Sequence, residues 1–340
     1  MLIKLNILFP TIIFFLLCFI IPKIFNNSNL LKNNLDKNHN INSQVASISG
    51  GACLIIALFI FNIIDKNSFY TEYAILIFLI GLLSDTNIVQ SPKQRLSLII
   101  IVISLFSLIE NFSISSTNIL YVDQLLKNSN LFTTIFFVFC LSILINGCNF
   151  IDGTNNNLNF YFLYSNIIIL LLKINFGISV DLNIVLILIS LSFTFFNFFD
   201  RIFFGDSGAY LIGFLIGIDL IYLFNSNSEI SKFFAVLIFF YPCFEVLFSM
   251  IRKYSLKYSP FSADKSHLHT ILVNFLIKQK KEKKIAHLIS SFFLNTIFFI
   301  PVLLLYNQNK YYHTKNILTS ILILVSIYLI LFYYFKKKIK

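Results

Sequence analysis

Long apolar runs recur along the whole 340-residue chain, and they constrain its fold more than any other feature. Each run is 15 to 22 residues long, close to the roughly 20 residues that a helix needs to cross a bilayer. Charged residues make up only 12% of the chain, against about 25% in an average soluble protein. This composition excludes a soluble globular fold and a disordered chain. Since the alternating segments of a membrane β-barrel are also absent, the sequence predicts an all-α, polytopic integral membrane protein.

We predict eleven membrane spans in a single transmembrane domain over residues 1–340. The spans are Leu5–Pro22, Ile48–Ile64, Phe69–Leu83, Leu96–Phe112, Leu131–Cys148, Leu158–Leu172, Leu182–Phe199, Ala209–Phe224, Phe233–Ile251, Ile285–Tyr306 and Ile317–Phe335. The first span is expected to be a retained helix, because no small-x-small cleavage site follows it. In the eighth span, Gly213-x-x-x-Gly217 is typical of close helix packing.

The distribution of basic residues predicts the orientation of these spans. The connections after spans 1, 3, 5, 7 and 9, together with the C-terminal tail, carry 19 of the 26 lysines and arginines. Basic loops stay in the cytoplasm, so the N-terminus is predicted outside and the C-terminus inside. The longest of these connections is a basic loop over residues 252–284. The net charge of +11 is therefore a topology and lipid-headgroup signal, and we expect no nucleic-acid partner.

Three aspartates mark a candidate site on the predicted cytoplasmic face. Asp85, Asp152 and Asp206 each lie where a span ends or begins, and each has a glycine nearby. A carboxylate so close to hydrocarbon is costly unless it is solvated or paired. Any one of them alone is best explained as a solvated helix cap. Three on one face, beside basic residues, favour a site for a hard divalent cation such as Mg²⁺, which takes one or two carboxylates together with substrate phosphates.

Two histidines and two acidic residues leave alternatives open. His267 and His269 could bind phosphate or transfer a proton, although histidines in a basic loop are more often solvated surface residues. Asp219 and Glu245 lie inside predicted spans 8 and 9. Both residues could make buried polar contacts. Glu245 is near enough to the cytoplasmic end of its span that it could also reach the site.

Four segments concentrate polar residues on the predicted cytoplasmic face: 81–95, 146–155, 204–209 and 259–269. Taken in this order, they resemble the polyprenyl-phosphate N-acetylhexosamine-1-phosphate transferase superfamily, and the resemblance spans about residues 48–272. The most specific motifs are Asn-x-x-Asn-x-x-Asp-Gly at 146–153, Phe-x-Gly-Asp-Ser-Gly at 203–208, and Pro-Phe-x-x-Asp-x-x-His-Leu-His at 260–269. The superfamily contains the transferase of peptidoglycan precursors. It also contains the N-acetylglucosamine-1-phosphate transferases that start O-antigen, common-antigen and teichoic-acid assembly.

The resemblance implies an enzyme of the bacterial inner membrane whose active site is on the cytoplasmic face. A polyprenyl phosphate such as undecaprenyl phosphate would attack the β-phosphorus of a UDP-sugar, for instance UDP-N-acetylglucosamine, and release UMP. Mg²⁺, or alternatively Mn²⁺, would be the cofactor. The partners would be the UDP-sugar, the lipid and the membrane, and a homodimer stays open. By position, the metal ligands would be Asp206 and Asp152, the catalytic residues Asp85, Asp152, His267 and His269, and the substrate-binding residues Asn146, Asn149, Lys93, Arg95 and Asp264.

The sequence also departs from the family pattern. The first of the family's paired aspartates is Ser84, and a second frequent aspartate, three residues after Asp152, is Asn155. A lipid phosphate is already largely dianionic near neutral pH, by analogy with a phosphoserine pKa of about 6, so a dedicated base is dispensable. His-Leu-His-Thr in place of three consecutive histidines argues against the peptidoglycan enzyme. A degenerate member that binds lipid phosphate or nucleotide without turnover is the main alternative, and a transporter ranks last.

Overall fold

The computed structural model of the protein describes residues 5–25, 48–65, 71–110, 117, 119–259 and 266–339. Within these ranges the chain forms fourteen α-helices, which confirms the predicted all-α class. They are α1 (Leu5–Phe25), α2 (Gly50–Asp65), α3 (Thr71–Asp85), α4 (Pro92–Ile109), α5 (Leu120–Asn128), α6 (Asn130–Ile151), α7 (Asn157–Asn175), α8 (Asp181–Phe198), α9 (Gly205–Ser226), α10 (Phe233–Ile238), α11 (Phe240–Ser255), α12 (Leu268–Lys278), α13 (Lys283–Asn307) and α14 (Thr314–Ile339).

Eight of the described helices are long and apolar enough to cross a membrane: α1, α4, α6, α7, α8, α9, α13 and α14. The helices α2 and α12 are apolar but shorter. Many large apolar side chains on the outer surfaces of α1, α4 and α14 are exposed, as expected for faces that contact lipid. The division into eleven spans and the orientation of the termini stay predictions.

The ninth predicted span, over 233–251, is divided into two helices. The chain forms α10 up to Ile238 and α11 from Phe240 onward. The physical reason is Pro242 in the first turn of α11. Proline has no N–H to donate to the carbonyl four residues earlier, and its ring crowds that carbonyl. The basic connection 252–284 also contains a helix, α12, which the sequence pattern did not predict.

The helix α9 is the centre of the fold. Nearly all of it is buried, and it packs against α2, α3, α6 and α7. A Cβ atom added to Gly213 would lie 2.8 Å from the Cα atom of Ile145, and one added to Gly217 would lie 2.4 Å from the Leu141 side chain. These distances confirm that Gly213-x-x-x-Gly217 serves the packing of α9 on α6.

A buried ion pair joins α7 and α9 through α8. Lys173 Nζ lies 2.5 Å from one oxygen of Asp219 and donates to Asn183 Oδ1 at 2.8 Å. Asn183 Nδ2 donates to the other Asp219 oxygen at 2.7 Å. Asp219 is therefore a buried polar contact, as its position inside a predicted span suggested.

The helices α3 and α9 touch through their backbones. A Cβ atom on Gly81 would lie 2.3 Å from the Cα atom of Ser207, so only glycine permits this approach. The contact is one turn from the C-terminus of α3 and at the N-terminus of α9. It places Ser84 and Asp85 directly beside Asp206.

Candidate active site

Asp206, in the first turn of α9, accepts hydrogen bonds from three side chains. Ser84 Oγ and Arg95 Nη1 both donate to its Oδ2, the latter at 2.6 Å, and Asn149 Nδ2 donates to its Oδ1 at 2.7 Å. Arg95 Nη1 also lies 2.6 Å from Ser84 Oγ. The Asp206 side chain is 26% exposed and the Arg95 side chain 20%, so the cluster is open to a ligand on one side. Three predicted segments thus meet at one carboxylate.

Asp85 is the last residue of α3 and holds Asp206 through the main chain. Its two carboxylate oxygens accept from the backbone N–H groups of Asp206 at 2.9 Å and Ser207 at 3.0 Å. These are the N–H groups that a helix leaves without partners in its first turn, so Asp85 caps α9 from a neighbouring helix. Gly205 makes room for it: its φ is +71°, and a Cβ there would lie 2.7 Å from Asp85 Oδ2.

Two carboxyl groups near Asp206 have raised pKa values. Burial, followed by the charge of Asp206, raises the pKa of Asp85 to about 7, although the two N–H bonds oppose the shift. Asp152 follows the last residue of α6, and burial together with the charges of Asp206 and Asp85 raises its pKa well above the usual range. A cation that bound here would relieve this crowding of negative charge.

The second histidine of the pair, His269, packs under the turn that follows α6. It is completely buried, and a Cβ atom on Gly153 would lie 2.5 Å from its Nε2. Burial lowers the pKa of His269 to about 3, so its ring is neutral at physiological pH. The ring of His267 lies parallel to it at 5.6 Å, and edge-on to the ring of Phe150 at 5.5 Å. The fourth predicted segment therefore lies against the second.

Asn146, Lys93 and Asp264 are the other predicted site residues. Asn146 Nδ2 donates to the carbonyl of Ser142 at 2.8 Å, one turn back in α6. Lys93 is exposed in the first turn of α4. Asp264 falls outside the described residues.

An asparagine-rich scaffold that the sequence pattern did not predict fixes the turn between α6 and α7. Asn155 Nδ2 donates to Asp200 Oδ1 at 2.6 Å and to the carbonyl of Asn197 at 3.1 Å. The backbone N–H of Asn155 donates to His287 Nδ1 at 3.2 Å, and its carbonyl accepts from Ser291 Oγ at 2.6 Å. In a chain this rich in asparagine, nothing in the sequence distinguishes these residues from the others. Asn155, where the family often has aspartate, acts here as a hydrogen-bond donor.

The carboxylates of the cluster fit the needs of a divalent cation. Among the described residues, no group of three or more His, Cys, Asp or Glu side chains forms a metal site. Mg²⁺ rarely uses such a cage, because it keeps waters and binds one or two carboxylates along with substrate phosphates. Asp206 and Asp152, two carboxylates whose negative charges repel each other, match that requirement.

Comparison with known proteins agrees with this geometry. The family model of glycosyl transferase family 4 matches residues 68–224, which include Ser84, Arg95, Asn149 and Asp206. Over these residues, a little under half of the chain, the protein is similar to glycosyl transferase family 4.

Two proteins that are similar to this chain carry the name of an activity. The chain is 23% identical over 231 residues to the undecaprenyl-phosphate alpha-N-acetylglucosaminyl 1-phosphate transferase of Thermotoga maritima, a match that covers 68% of this chain and 69% of the relative. It is 34% identical over 102 residues to a probable undecaprenyl-phosphate N-acetylglucosaminyl 1-phosphate transferase of Bacillus subtilis. That second match covers 29% of this chain and 28% of the relative.

Proposed function

We propose that this protein is a member of glycosyl transferase family 4 and transfers a sugar 1-phosphate, of the N-acetylhexosamine class, from a UDP-sugar to a polyprenyl phosphate. The reaction would take place at the cytoplasmic face of a bacterial inner membrane and would be the first membrane step of a surface polysaccharide. One observation carries the proposal: Asp206 accepts hydrogen bonds from Ser84, Arg95 and Asn149, which come from two other polar segments. The activities of the two relatives agree with it.

The proposed reaction is a displacement at phosphorus. An oxygen of the lipid phosphate forms a bond to the β-phosphorus of the UDP-sugar, while the bond from that phosphorus to the oxygen bridging it to the α-phosphorus breaks. UMP leaves with that oxygen and its electron pair. The lipid phosphate is already largely ionised near pH 7, by analogy with a phosphoserine pKa of about 6, so the site needs no carboxylate at position 84 to remove a proton.

The residues of the cluster have separate tasks in this scheme. Arg95 can exchange its bond to Asp206 for a bond to a phosphate oxygen, since a guanidinium matches phosphate geometry as well as carboxylate geometry. Asp85 holds the first turn of α9, so that Asp206 cannot shift away from Asn149. Asp206 and Asp152 would hold Mg²⁺, which neutralises charge on the transferred phosphoryl group when it is bound.

The deciding experiment is UMP release by the detergent-purified protein. The assay would contain undecaprenyl phosphate, Mg²⁺ and, in separate reactions, each of a panel of UDP-sugars. We expect UMP that depends on both lipid and cation with one donor, and a loss of at least about 100-fold in Asp206→Asn. Glu110→Gln is the matched control, because Glu110 is exposed and is the C-cap residue of α4, at the end of the helix away from Arg95.

Two results would count against the proposal. The first is that folded protein releases no UMP with any donor. This result would favour the alternative that the protein binds lipid phosphate or nucleotide without turnover. The other is normal turnover in Asp206→Asn, which would place the chemistry elsewhere in the molecule.

A further inference from the structure

Glu245 is a buried carboxylate whose two oxygens are both occupied. It lies in α11 and is 1% exposed. Its Oε1 lies 3.0 Å from His267 Nδ1 and accepts from the backbone N–H of Leu268 at 3.3 Å. Its Oε2 accepts from the hydroxyl of Tyr328 at 2.8 Å. A carboxylate removed from water is costly unless such partners are present, so this arrangement is specific.

The contact with Glu245 determines which nitrogen of His267 is available. A carboxylate only accepts hydrogen bonds, so Nδ1 must carry a proton and donate it to Glu245. That leaves Nε2 as the nitrogen for a ligand, because the two ring nitrogens are not equivalent once one is committed. The His267 ring packs edge-on against Phe150, whose neighbour Asn149 binds Asp206. The side chain of His267 is 13% exposed, so a ligand can still reach part of the ring.

Tyr328 connects this arrangement to the last helix. It lies in α14, more than 100 residues beyond the end of the family match at 224. Its ring is completely buried and packs against the rings of Phe244 at 4.8 Å and Phe248 at 5.2 Å. The hydroxyl is therefore held in place by rigid neighbours, and it in turn fixes Oε2 of Glu245.

We propose that Glu245 is a positioning residue: it holds His267 with Nδ1 protonated and Nε2 directed to the phosphates of the sugar nucleotide, and Tyr328 fixes Glu245 in this role. The proposal rests on the proposed function for the identity of the ligand only. The hydrogen-bonded arrangement itself can be tested in protein without any substrate. It makes α14 a contributor to the site, although α14 lies outside the part of the chain that matches the family.

The first test is nitrogen NMR of protein carrying ¹⁵N-labelled histidine, in detergent and without substrate. The chain has five histidines, so the His267 ring signals can be assigned with the variant His267→Gln. In the parent protein we expect the Nδ1-protonated form. In Glu245→Leu that preference disappears, and in Tyr328→Phe it weakens. Unchanged His267 signals in both variants would overturn the proposal.

The control is a second buried carboxylate that is not near His267. Asp219→Asn removes the charge partner of Lys173 and should lower the melting temperature. It should leave the His267 signals where they are. If Asp219→Asn changes them as much as Glu245→Leu does, the effect of Glu245 is general destabilisation and the proposal fails.

The second test uses turnover and separates positioning from packing. Glu245→Gln should lower kcat by about 10- to 100-fold, as expected when the partner that orients a functional histidine is removed. If Glu245 acts through His267, the double variant Glu245→Gln with His267→Gln should be no slower than His267→Gln alone. If the losses of kcat in the two single variants multiply in the double variant, Glu245 acts independently of His267. Should Glu245→Gln fail to fold, Tyr328→Phe combined with His267→Gln gives the same comparison.

The two tests distinguish this proposal from the proposed function. A protein without transferase activity that still shows the Glu245-dependent His267 signals would retain the positioning role and lose the assigned reaction. An active protein whose His267 signals do not depend on Glu245 would retain the assigned reaction and lose the positioning role.

Discussion

The variant Asn155→Asp restores the residue that is frequent in the family, and we expect it to destabilise this protein. Asn155 is 4% exposed, and its amide nitrogen lies 2.6 Å from Asp200 Oδ1 and 3.1 Å from the Asn197 carbonyl. A carboxylate in its place would face two acceptors. It would lose both hydrogen bonds and bring a second negative charge against Asp200.

The size of the loss can be worked out from these contacts. Each buried acceptor left without a donor costs about 1–3 kcal/mol. Two like charges about 4 Å apart add about 4 kcal/mol at an effective dielectric constant of about 20. Lys284, 3.6 Å from the other Asp200 oxygen and 39% exposed, offsets about 1 kcal/mol at most. We therefore expect the free energy of unfolding to fall by at least about 4 kcal/mol at pH 8, which corresponds to a melting temperature lower by about 10 °C.

The loss should depend on pH in a defined direction. The new pair would share a proton in the folded state, so its folded pKa lies above the unfolded value near 4. Stability is then regained as the pH falls and lost as it rises, and three pH units at about 1.4 kcal/mol each limit the gain to about 4 kcal/mol between pH 8 and pH 5. Melting in detergent at both pH values measures this. Asn155→Ala, which adds no charge, should show a smaller loss that does not change with pH.

A charge swap provides the decisive comparison. In Asn155→Asp combined with Asp200→Asn the amide and the carboxylate exchange places, so one hydrogen bond can form again. Asp200 has a φ of +55°, a conformation that asparagine also adopts readily. The swap should recover stability relative to Asn155→Asp at pH 8. A single variant as stable as the parent protein at pH 8, or a swap that recovers nothing, would show that the contacts of Asn155 do not hold this turn.

Three further outcomes are expected. Gly81→Ala should abolish the folded yield, because its Cβ would lie 2.3 Å from the backbone of Ser207; a normal melting temperature would contradict the backbone contact of α3 and α9. Lys173→Ala should cost about 3–5 kcal/mol by leaving Asp219 buried without its cation, while turnover per folded molecule, measured as UMP release, stays unchanged. In the absence of divalent cations, the pKa of Asp85, raised from 3.8 to about 7, makes stability decline as the pH rises through that interval, and Asp85→Asn should flatten this part of a melting profile.

The meeting of the polar segments could be predicted from the sequence. The alternation of spans and loops puts every second connection on one side of the membrane. The hydrogen bonds from Arg95 and Asn149 to Asp206 agree with that prediction. The spacing of Gly213 and Gly217 likewise predicted close packing, because small residues one helical turn apart let a neighbouring helix approach an apolar helix closely.

Other features depend on distances that no sequence pattern reports. Asp85 was expected to act as a catalytic carboxylate, and nothing in its spacing distinguishes that role from the capping of α9 that the structure shows. The contact between Glu245 and His267 joins residues that are 22 positions apart across a connection with no periodicity. The sequence pattern does not show the break between α10 and α11, because the apolar run continues through it.

The three hydrogen bonds donated to Asp206 also determine what the chain requires in order to fold. In proteins with a structural metal, the ligands repel one another until the ion arrives, so chelation unfolds the chain. Here Ser84, Arg95 and Asn149 already satisfy the carboxylate. We therefore expect insertion and folding not to require a cation, so that the protein in a chelator still melts as a folded protein. If the proposed function holds, a divalent ion at Asp206 would bind and dissociate together with the sugar nucleotide.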